Sequence, residues 1–121
     1  MNSSKSQNRK TGMEGELIAR RYLENLGYKI LDTNVHLSVE SEIDIIAKDG
    51  DVIVFVEVKT RKSLSCGHPF EAVTKNKLSK IVKGAYMYMN KNGAGKAFRI
   101  DVVSVLGTVS PKIEHLKNIE I

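Results

Sequence analysis

Two β-prone runs in the middle of the chain limit the folds open to it. They extend from Ile43 to Lys48 and from Asp51 to Lys59, and Asp49-Gly50 marks a turn between them. An Asp-Gly pair between such runs indicates a tight β-hairpin, because glycine adopts positive φ without strain. The second run contains VIVFVEV, and this density of β-branched residues is typical of a central strand covered on both faces. The sequence therefore predicts an antiparallel hairpin at the centre of a sheet.

The alternation of side chains along a strand divides the hairpin into a mixed face and an apolar face. If Asp49 and Gly50 form the loop, Asp44 lies opposite Phe55, and Glu57 is its diagonal neighbour about 7–8 Å away at the backbone. Lys59 follows Glu57 on the same, mixed face. The apolar face is then expected to hold Ile43, Ile45, Ala47, Val52, Val54, Val56 and Val58.

Two carboxylates in an otherwise apolar strand need a partner, because burial of an unpaired charge is costly. Asp44 and Glu57 are close enough to share a divalent cation, and Mg²⁺ binds carboxylate oxygens at about 2.0–2.1 Å. Lys59 could orient a water molecule or stabilise an anionic transition state. An ordinary ion pair between Lys59 and one acid at the strand end is the alternative, and the residues alone leave both open. Glu42 is expected on the same face, opposite Glu57, and receives no role.

Charge is distributed unevenly along the chain. The net charge is +5, yet the segment from Glu40 to Glu57 has six acids and one base, whereas the segment from Lys59 to Arg99 has ten bases and one acid. A protein that cuts a polyanion needs basic groups for the phosphates and carboxylates for a metal ion. A solvated lysine-rich helix face is the alternative. The candidates for phosphate contacts are Arg61, Lys62, Lys75 and Lys77.

The rest of the chain predicts two helices and further strands around the hairpin. Residues 1–11 are basic and almost devoid of apolar side chains, so we expect a flexible arm there and a single domain over residues 12–121. The helices are predicted at Gly12 to Leu26 and, with Thr74 as N-cap, up to Asn90. The further strands are predicted at Tyr28–Leu31, Val35–Val39, Ala97–Leu106 and Ile113–Ile121.

Composition excludes several classes of protein. No apolar stretch is long enough to span a membrane and the first residues do not read as a signal peptide, so we expect a cytoplasmic protein with no membrane partner. The single Cys66 supports neither a disulfide framework nor a cysteine zinc site. Glycine-rich phosphate loops and serine nucleophile motifs are absent, so no nucleotide cofactor is implied. His36, His68 and His115 are scattered and are expected to have structural or surface roles.

The central block resembles the YraN-type family of small bacterial proteins, which belongs to the PD-(D/E)XK nuclease superfamily and looks like the archaeal Holliday junction resolvases. The block reads ESEIDIIAKDGDVIVFVEVKTR. Further matching blocks are GMEGELIARRYLENLGYKIL, GHPFEAVTKNKLSKI and FRIDVVSV, so the resemblance spans nearly the whole chain after residue 11. Two positions depart from the pattern, since Ser41 replaces a usual glycine and Ile43 replaces the proline before the first acid.

The resemblance implies an α/β fold, a restriction-endonuclease-like three-layer sandwich with a central mixed sheet flanked by helices in the order α-β-β-β-α-β. By the resemblance, Asp44 and Glu57 match the motif acids, Lys59 the motif lysine, and Glu16 the helix glutamate near the metal. Glu16 lies about 20° from Leu23 around the helix, so it can point towards the sheet. A surface glutamate is the alternative.

The expected function is therefore metal-dependent hydrolysis of DNA, with Asp44, Glu57 and Glu16 as ligands of Mg²⁺ or Mn²⁺ and branched or structured DNA as substrate. A nuclease fold that only binds nucleic acid is the second hypothesis, and a protein-interaction domain is the third. The apolar helix end from Tyr86 to Met89 is compatible with core packing and with a homodimer contact, and the sequence does not decide between them.

Overall fold

The structure is a computed structural model, and it describes residues 3–92 and 96–119. Within these residues, two α-helices, two short 3₁₀ helices and five strands follow one another. Their bounds are α1 Ser3–Asn25, β1 Lys29–His36, β2 Glu42–Asp49, β3 Val52–Arg61, a 3₁₀ turn Leu64–Cys66, a second 3₁₀ turn Pro69–Ala72, α2 Lys75–Asn92, β4 Phe98–Leu106 and β5 Lys112–Leu116.

The five strands form one mixed sheet in the order β1-β2-β3-β4-β5. The central pair, β3 and β4, is parallel, and the other neighbours are antiparallel. Parallel neighbours require a crossover connection, and α2 supplies it. This order of elements is the predicted one, and the architecture is consistent with a restriction-endonuclease-like α/β fold.

Two hydrophobic clusters cover the two faces of the sheet. Ala19 and Leu23 of α1 pack on Ile45, Val54 and Val56. On the opposite face, the apolar stripe of α2 packs on the other side chains of β2 and β3. The residues of that second cluster include Leu78, Ile81, Ala85, Met89, Ile46, Ile53 and Phe55. The sheet is therefore the middle of three layers, as the β-branched central strand predicted.

Helix α1 begins earlier than the periodicity indicated. The sequence predicted an irregular arm up to residue 11, whereas the helix starts at Ser3 and Thr11 is already buried. Once the amphipathic part of a helix is formed, Lys, Arg and Gln extend it at low cost. Helix α2 begins as predicted, because Thr74 Oγ1 accepts a hydrogen bond from the Lys77 N–H at 3.2 Å. Helix α2 extends to Asn92, two residues beyond its predicted end, and residues 93–95 lie outside the described chain.

The two short strands predicted before the hairpin form one strand, β1. Its pairing with β2 shifts between Ile30 and Asp32, and Asn34 has a φ of 52°. A bulge therefore replaces the predicted break, since it bends a strand without ending it. The turn from Leu37 to Ser41 then leads into β2. There Ser41 is buried and its hydroxyl donates to the Lys80 carbonyl, which anchors the position that departs from the family pattern.

The strands predicted after the second helix are present as β4 and β5, although β5 ends at Leu116 and residues 120–121 lie outside the described chain. At the end of α2, Met89 is buried and Tyr88 packs edge-on against Phe55, so these two belong to the core. Tyr86 and Met87 remain exposed, and a homodimer contact through them stays a prediction. Neither α1 nor α2 combines the length and apolar character of a membrane-crossing helix over the described residues.

Candidate metal centre and nucleic-acid cleft

The hairpin has a different register from the predicted one. Asp49 pairs with Val52 and Ile45 with Val56, so the loop consists of Gly50 and Asp51 and not of Asp49 and Gly50. Gly50 has a φ of 61°, which suits the first loop position of a type II′ turn. Each residue of β2 therefore lies opposite a residue of β3 two positions later than predicted. A shift of two residues leaves the facing of side chains unchanged, because side chains alternate with a period of two. Asp44 is therefore level with Glu57 and not with Phe55.

The pairing of β2 and β3 ends at Ile45 and Val56, just before the two acids. In a continued ladder, the next N–H of β3 that points towards β2 is that of Val58. This N–H donates instead to Asp44 Oδ2 at 2.8 Å. The Asp44 carboxylate thus occupies the place where the strands separate, and it is fixed by the backbone of β3.

The predicted apolar face is also broken at this point. Ile45 and Ala47 pack in the cluster under α1, whereas Ile43 packs in the cluster under α2. The prediction that Ile43 shares a face with Ile45 is wrong, because β2 loses its alternation where it leaves β3. Glu42, predicted opposite Glu57, pairs with His36 of β1 and points its exposed carboxylate towards that imidazole.

Glu57 and Lys59 form an ion pair on β3. Lys59 Nζ lies 3.3 Å from Glu57 Oε1, and their side chains are only 15% and 12% exposed. Burial alone would lower the pKa of Lys59, but its contact with Lys77 and the carboxylates of Glu57 and Asp44 raise it overall. The contact with Lys59 lowers the pKa of Lys77, and burial adds to this effect. The ion pair that was the alternative to a metal site therefore exists, but it is largely buried and lies beside a second acid and a second lysine.

Helix α1 brings Glu16 to this group. A close approach permits this, because a Cβ on Gly15 would overlap Thr60 Oγ1 of β3 and would lie 2.7 Å from Thr60 Cγ2. Burial raises the pKa of Glu16, a hydrogen bond with Asn34 opposes this, and the charge of Glu42 adds to it. Glu16 is half-buried and lines the same cleft as Asp44, so it faces the sheet and not the solvent.

These side chains line a cleft of about 1040 Å³ between α1 and the end of β3. Its acidic wall holds Glu16, Asp44 and Glu57, and Lys59 lies beside them. The remaining lining residues, hereafter the outer cleft, are Arg9, Thr11, Gly12, Met13, Asn34, Val58, Thr60, Arg61, Lys62, Ser63 and Ser65.

The cleft raises the pKa of Asp44 above that of an ordinary aspartate side chain. The pKa of Asp44 is about 8, chiefly because of burial and then because of the charge of Glu57. The Val58 N–H opposes this rise, and the carboxyl group of Glu16 adds to it. Without a cation in the cleft, this raised pKa favours the protonated, neutral form of the Asp44 carboxyl group near neutral pH.

The donor set fits Mg²⁺ or Mn²⁺ in chemistry, since all three groups are carboxylates and hard cations prefer oxygen ligands. In the part of the chain that the structure describes, no three acid, histidine or cysteine side chains are arranged to hold a metal ion. Mg²⁺ is commonly held by one or two carboxylates and completes its shell with water and substrate phosphate. Asp44 and Glu57 meet that requirement, and Glu16 adjoins them.

The four predicted phosphate contacts divide into two groups. Arg61 and Lys62 line the cleft, and Lys77 adjoins it through Lys59. Arg61 Nη1 donates to the Thr60 carbonyl at 3.1 Å, while its buried Nε has no hydrogen-bond partner. Lys75 is exposed at the start of α2 and is not part of the cleft lining.

Sequence reasoning missed part of this site. Arg9 falls in the predicted arm, Asn34 lies between the two strands predicted before the hairpin, and Ser63 and Ser65 received no role. The positive φ of Asn34 suits its residue type, because asparagine is enriched among residues with positive φ. No local signal placed Arg9, since its position depends on the length of α1.

Comparisons with known proteins give relatives over most of the chain. A model described as the uncharacterised protein family UPF0102 matches residues 15–105. A UPF0102 protein of Paenarthrobacter aurescens is 46% identical over 112 residues, covering 89% of this chain and 91% of that protein. One from Sulfurihydrogenibium sp. is 48% identical over 101 residues, covering 83% and 84%. One from Chromohalobacter salexigens is 41% identical over 108 residues, covering 89% and 87%. The chain therefore belongs to the uncharacterised protein family UPF0102.

Proposed function

We propose that this protein is a metal-dependent endonuclease that hydrolyses phosphodiester bonds in DNA, with branched or structured DNA as its substrate. The observation that carries the proposal is the cleft in which Asp44, Glu57 and Lys59 adjoin the basic side chains of Arg61 and Lys62. The resemblance of the central block to PD-(D/E)XK nucleases and to archaeal resolvases supports the same activity. The single Cys66 suits a reducing compartment, which supports a cytoplasmic location as part of this proposal.

Each residue of the acidic wall has a role in this proposal. Asp44 and Glu57 hold Mg²⁺ or Mn²⁺, and Glu16 contributes from α1. When bound, the cation polarises the phosphate and lowers the pKa of a water ligand. Lys59, held by Glu57 at 3.3 Å, orients the attacking water and stabilises charge that develops on the phosphate.

The basic residues of the cleft bind the DNA backbone. Arg61 lines the cleft, and a guanidinium group can bind phosphate oxygens through two N–H groups. Contacts of this kind do not depend on base sequence and weaken as salt increases. Binding is therefore expected to depend on the shape of the DNA more than on its sequence.

One observation favours a second candidate, a nucleic-acid-binding module without catalysis. Within the described residues no three potential ligands are arranged around a common point. A cleft with two adjoining acids and a basic wall could bind a strand without cutting it.

Incubation of the purified protein with branched, single-stranded and duplex DNA, in Mg²⁺ or in Mn²⁺, tests the proposal. We expect cleavage by the wild type, and a loss of about 10²–10³-fold in rate for Lys59→Ala, the size seen when one transition-state contact is removed. Glu57→Gln should abolish cleavage while retaining binding. The matched control is Glu24→Gln, which changes an exposed acid of α1 outside the cleft.

Two outcomes would contradict the nuclease proposal in different ways. DNA binding without cleavage in either metal would support the non-catalytic module. No DNA binding even at low salt would rule out both candidates and favour a protein-interaction domain.

A further inference from the structure

An apolar patch on α1 adjoins the cleft. Met13 is 65% exposed and Leu17 is 43% exposed, and residues four apart lie on one side of a helix. The patch, defined as Met13 and Leu17, lines a second cavity of about 450 Å³ together with Arg9, Lys10 and Glu14. Arg9 and Met13 line both cavities, so the patch is continuous with the cleft.

Single exposed apolar residues are ordinary on protein surfaces. This pair differs in its surroundings, because its cavity is also lined by two basic residues, Arg9 and Lys10, and one acid, Glu14, and it adjoins a cleft with a basic wall. The positive charge attracts a polyanion, whereas the thioether and isobutyl groups offer no polar contact. The partner that matches both features has a charged backbone and an apolar, exposed face.

A nucleic-acid strand with an unstacked base has these two features. In an intact duplex the flat faces of the bases are stacked on one another, and only phosphates and groove edges are open to contact. A base that leaves the stack exposes its ring face, and the polarisable sulfur of methionine makes favourable contacts with aromatic rings. Proteins that bind single strands combine a basic groove with side chains that contact the base faces.

We propose that the patch of Met13 and Leu17 binds an unstacked base of the strand whose phosphates occupy the cleft. This inference rests on the proposed function and specifies its substrate class. The protein prefers nucleic acid with unpaired nucleotides beside the bound phosphates, such as single-stranded segments and branch points, over intact duplex.

Binding in the absence of divalent metal separates this inference from catalysis. Fluorescently labelled single-stranded DNA and blunt duplex of equal length are titrated with the full chain at low salt in EDTA. We expect Met13→Ala to weaken single-strand binding about tenfold, the effect of losing one stacked base, and to change duplex binding less than about twofold. Met13→Phe should restore single-strand binding. The matched control is Met87→Ala, an exposed methionine of α2 that lines neither cavity.

A second readout reports the base directly. In a single strand carrying 2-aminopurine, emission should rise on binding to wild type, because the base leaves its neighbours, and should rise less on binding to Met13→Ala. Equal losses for both DNAs, or no loss beyond that of Met87→Ala, would overturn the inference while leaving the proposed function intact. A changed oligomeric state of Met13→Ala with unchanged single-strand binding would also overturn it and assign the patch to contact between copies. No binding by wild type would mean that the proposed function itself fails.

Discussion

Asp44 shows most clearly how one residue connects the fold to the site. Its carboxylate accepts the Val58 N–H where β2 leaves β3, and it lies beside Glu57 and Glu16. Burial and the neighbouring charge raise its pKa to about 8. A cation would remove this effect, because it favours the ionised form. Burial of Asp44 beside other acids therefore lowers the stability of the metal-free fold at pH values where Asp44 must ionise. The same grouping of acids favours the binding of a cation.

The raised pKa predicts how stability depends on pH without metal. Between the ordinary pKa of 3.8 and the folded value of about 8, the folded protein binds more protons at Asp44 than the unfolded chain does. The contribution of this residue to the free energy of unfolding therefore falls as pH rises through that window. Asp44→Asn removes the effect, so its stability advantage over wild type should grow from pH 5 to pH 8 by at most about 1.4 kcal/mol per pH unit.

Urea denaturation in EDTA at several pH values measures this difference. Asp51→Asn, in the exposed hairpin loop, is the control and should follow the wild-type profile. Parallel profiles of Asp44→Asn and wild type from pH 5 to pH 9 would mean that the fold does not hold Asp44 in its protonated form.

At the residue scale, the sequence predicted which side chains lie close together, but it did not predict the pairing of residues between β2 and β3. The period of two placed Asp44, Glu57 and Lys59 at one strand end, and this survived a register error of two residues. The error arose because Gly50 suits two loops. It can be the second residue of a type I′ loop formed by Asp49 and Gly50, or the first residue of a type II′ loop formed by Gly50 and Asp51. The change of face between Ile43 and Ile45 of β2 is a feature of the folded chain that no local pattern reports.

At the scale of elements, the contact between α1 and β3 decides whether Glu16 reaches the site. Gly15 lies against Thr60, and the absence of a Cβ allows the helix to approach the strand. Glycine inside a helix costs about 1 kcal/mol relative to alanine. Gly15 therefore lowers the stability of the helix but allows α1 to lie close to β3. The sequence contained this glycine within GMEGELIARR, but its meaning required knowledge of the neighbouring strand.

Gly15→Ala is expected to destabilise the protein by about 1–3 kcal/mol, because the added methyl group overpacks the contact with Thr60. It should also move Glu16 away from Asp44 and weaken the binding of Mn²⁺. The matched control is Gly12→Ala on the same helix, where a Cβ meets nothing within 4 Å. This control should be stabilised by up to about 1 kcal/mol.

Chemical denaturation and titration with Mn²⁺ check both effects. Thr60→Ala should partly rescue Gly15→Ala, since it removes Oγ1 and Cγ2 and leaves Cβ at 2.8 Å. Equal gains in stability for Gly12→Ala and Gly15→Ala would contradict the close contact between α1 and β3.

At the scale of the whole molecule, a buried polar network joins α1 to the far strands. Asp101 on β4 is fully buried and accepts hydrogen bonds from His115 at 2.8 Å, Arg99 at 3.0 Å and the Asn118 N–H at 2.9 Å. His115 in turn hydrogen-bonds with the Tyr22 hydroxyl of α1 at 3.1 Å. Burial opposes ionisation, but these hydrogen bonds outweigh it and lower the pKa of Asp101. The network fixes α1 across the sheet, and through α1 it holds one wall of the cleft.

Asp101→Asn is expected to cost about 3–5 kcal/mol, because it leaves the partners of a buried charge unsatisfied. Asp49→Asn removes another partner of Arg99, but the Asp49 side chain is 42% exposed and the loss should be below about 1 kcal/mol. Because the pKa of Asp101 is lowered by folding, its stabilisation is present above the ordinary carboxyl range and is lost as pH falls below it. Denaturation curves of the two variants test this, and equal losses would contradict the account.

The sequence predicted those features of the whole molecule that depend on residues close together in the chain. Layers, element order and the central strand followed from periodicity and turn residues, which are local. His115 was expected to have a structural role, and it has one, but the assembly of Tyr22, Arg99, Asp101 and His115 joins residues far apart in the chain. The outer cleft likewise combines α1 with the loop after β3, and only the folded chain brings them together.

The central claim is that the acids of the cleft hold a divalent cation, and a crystal structure soaked in Mn²⁺ tests it most directly. Crystals should be grown above pH 8, where Asp44 is ionised, and measured at a wavelength with strong manganese anomalous scattering. The account predicts an anomalous peak between Asp44 and Glu57, within about 2.0–2.2 Å of a carboxylate oxygen from each, and no peak there in Glu57→Gln. An ordered cleft without a peak in the wild type, or a peak only at other acids, would contradict it.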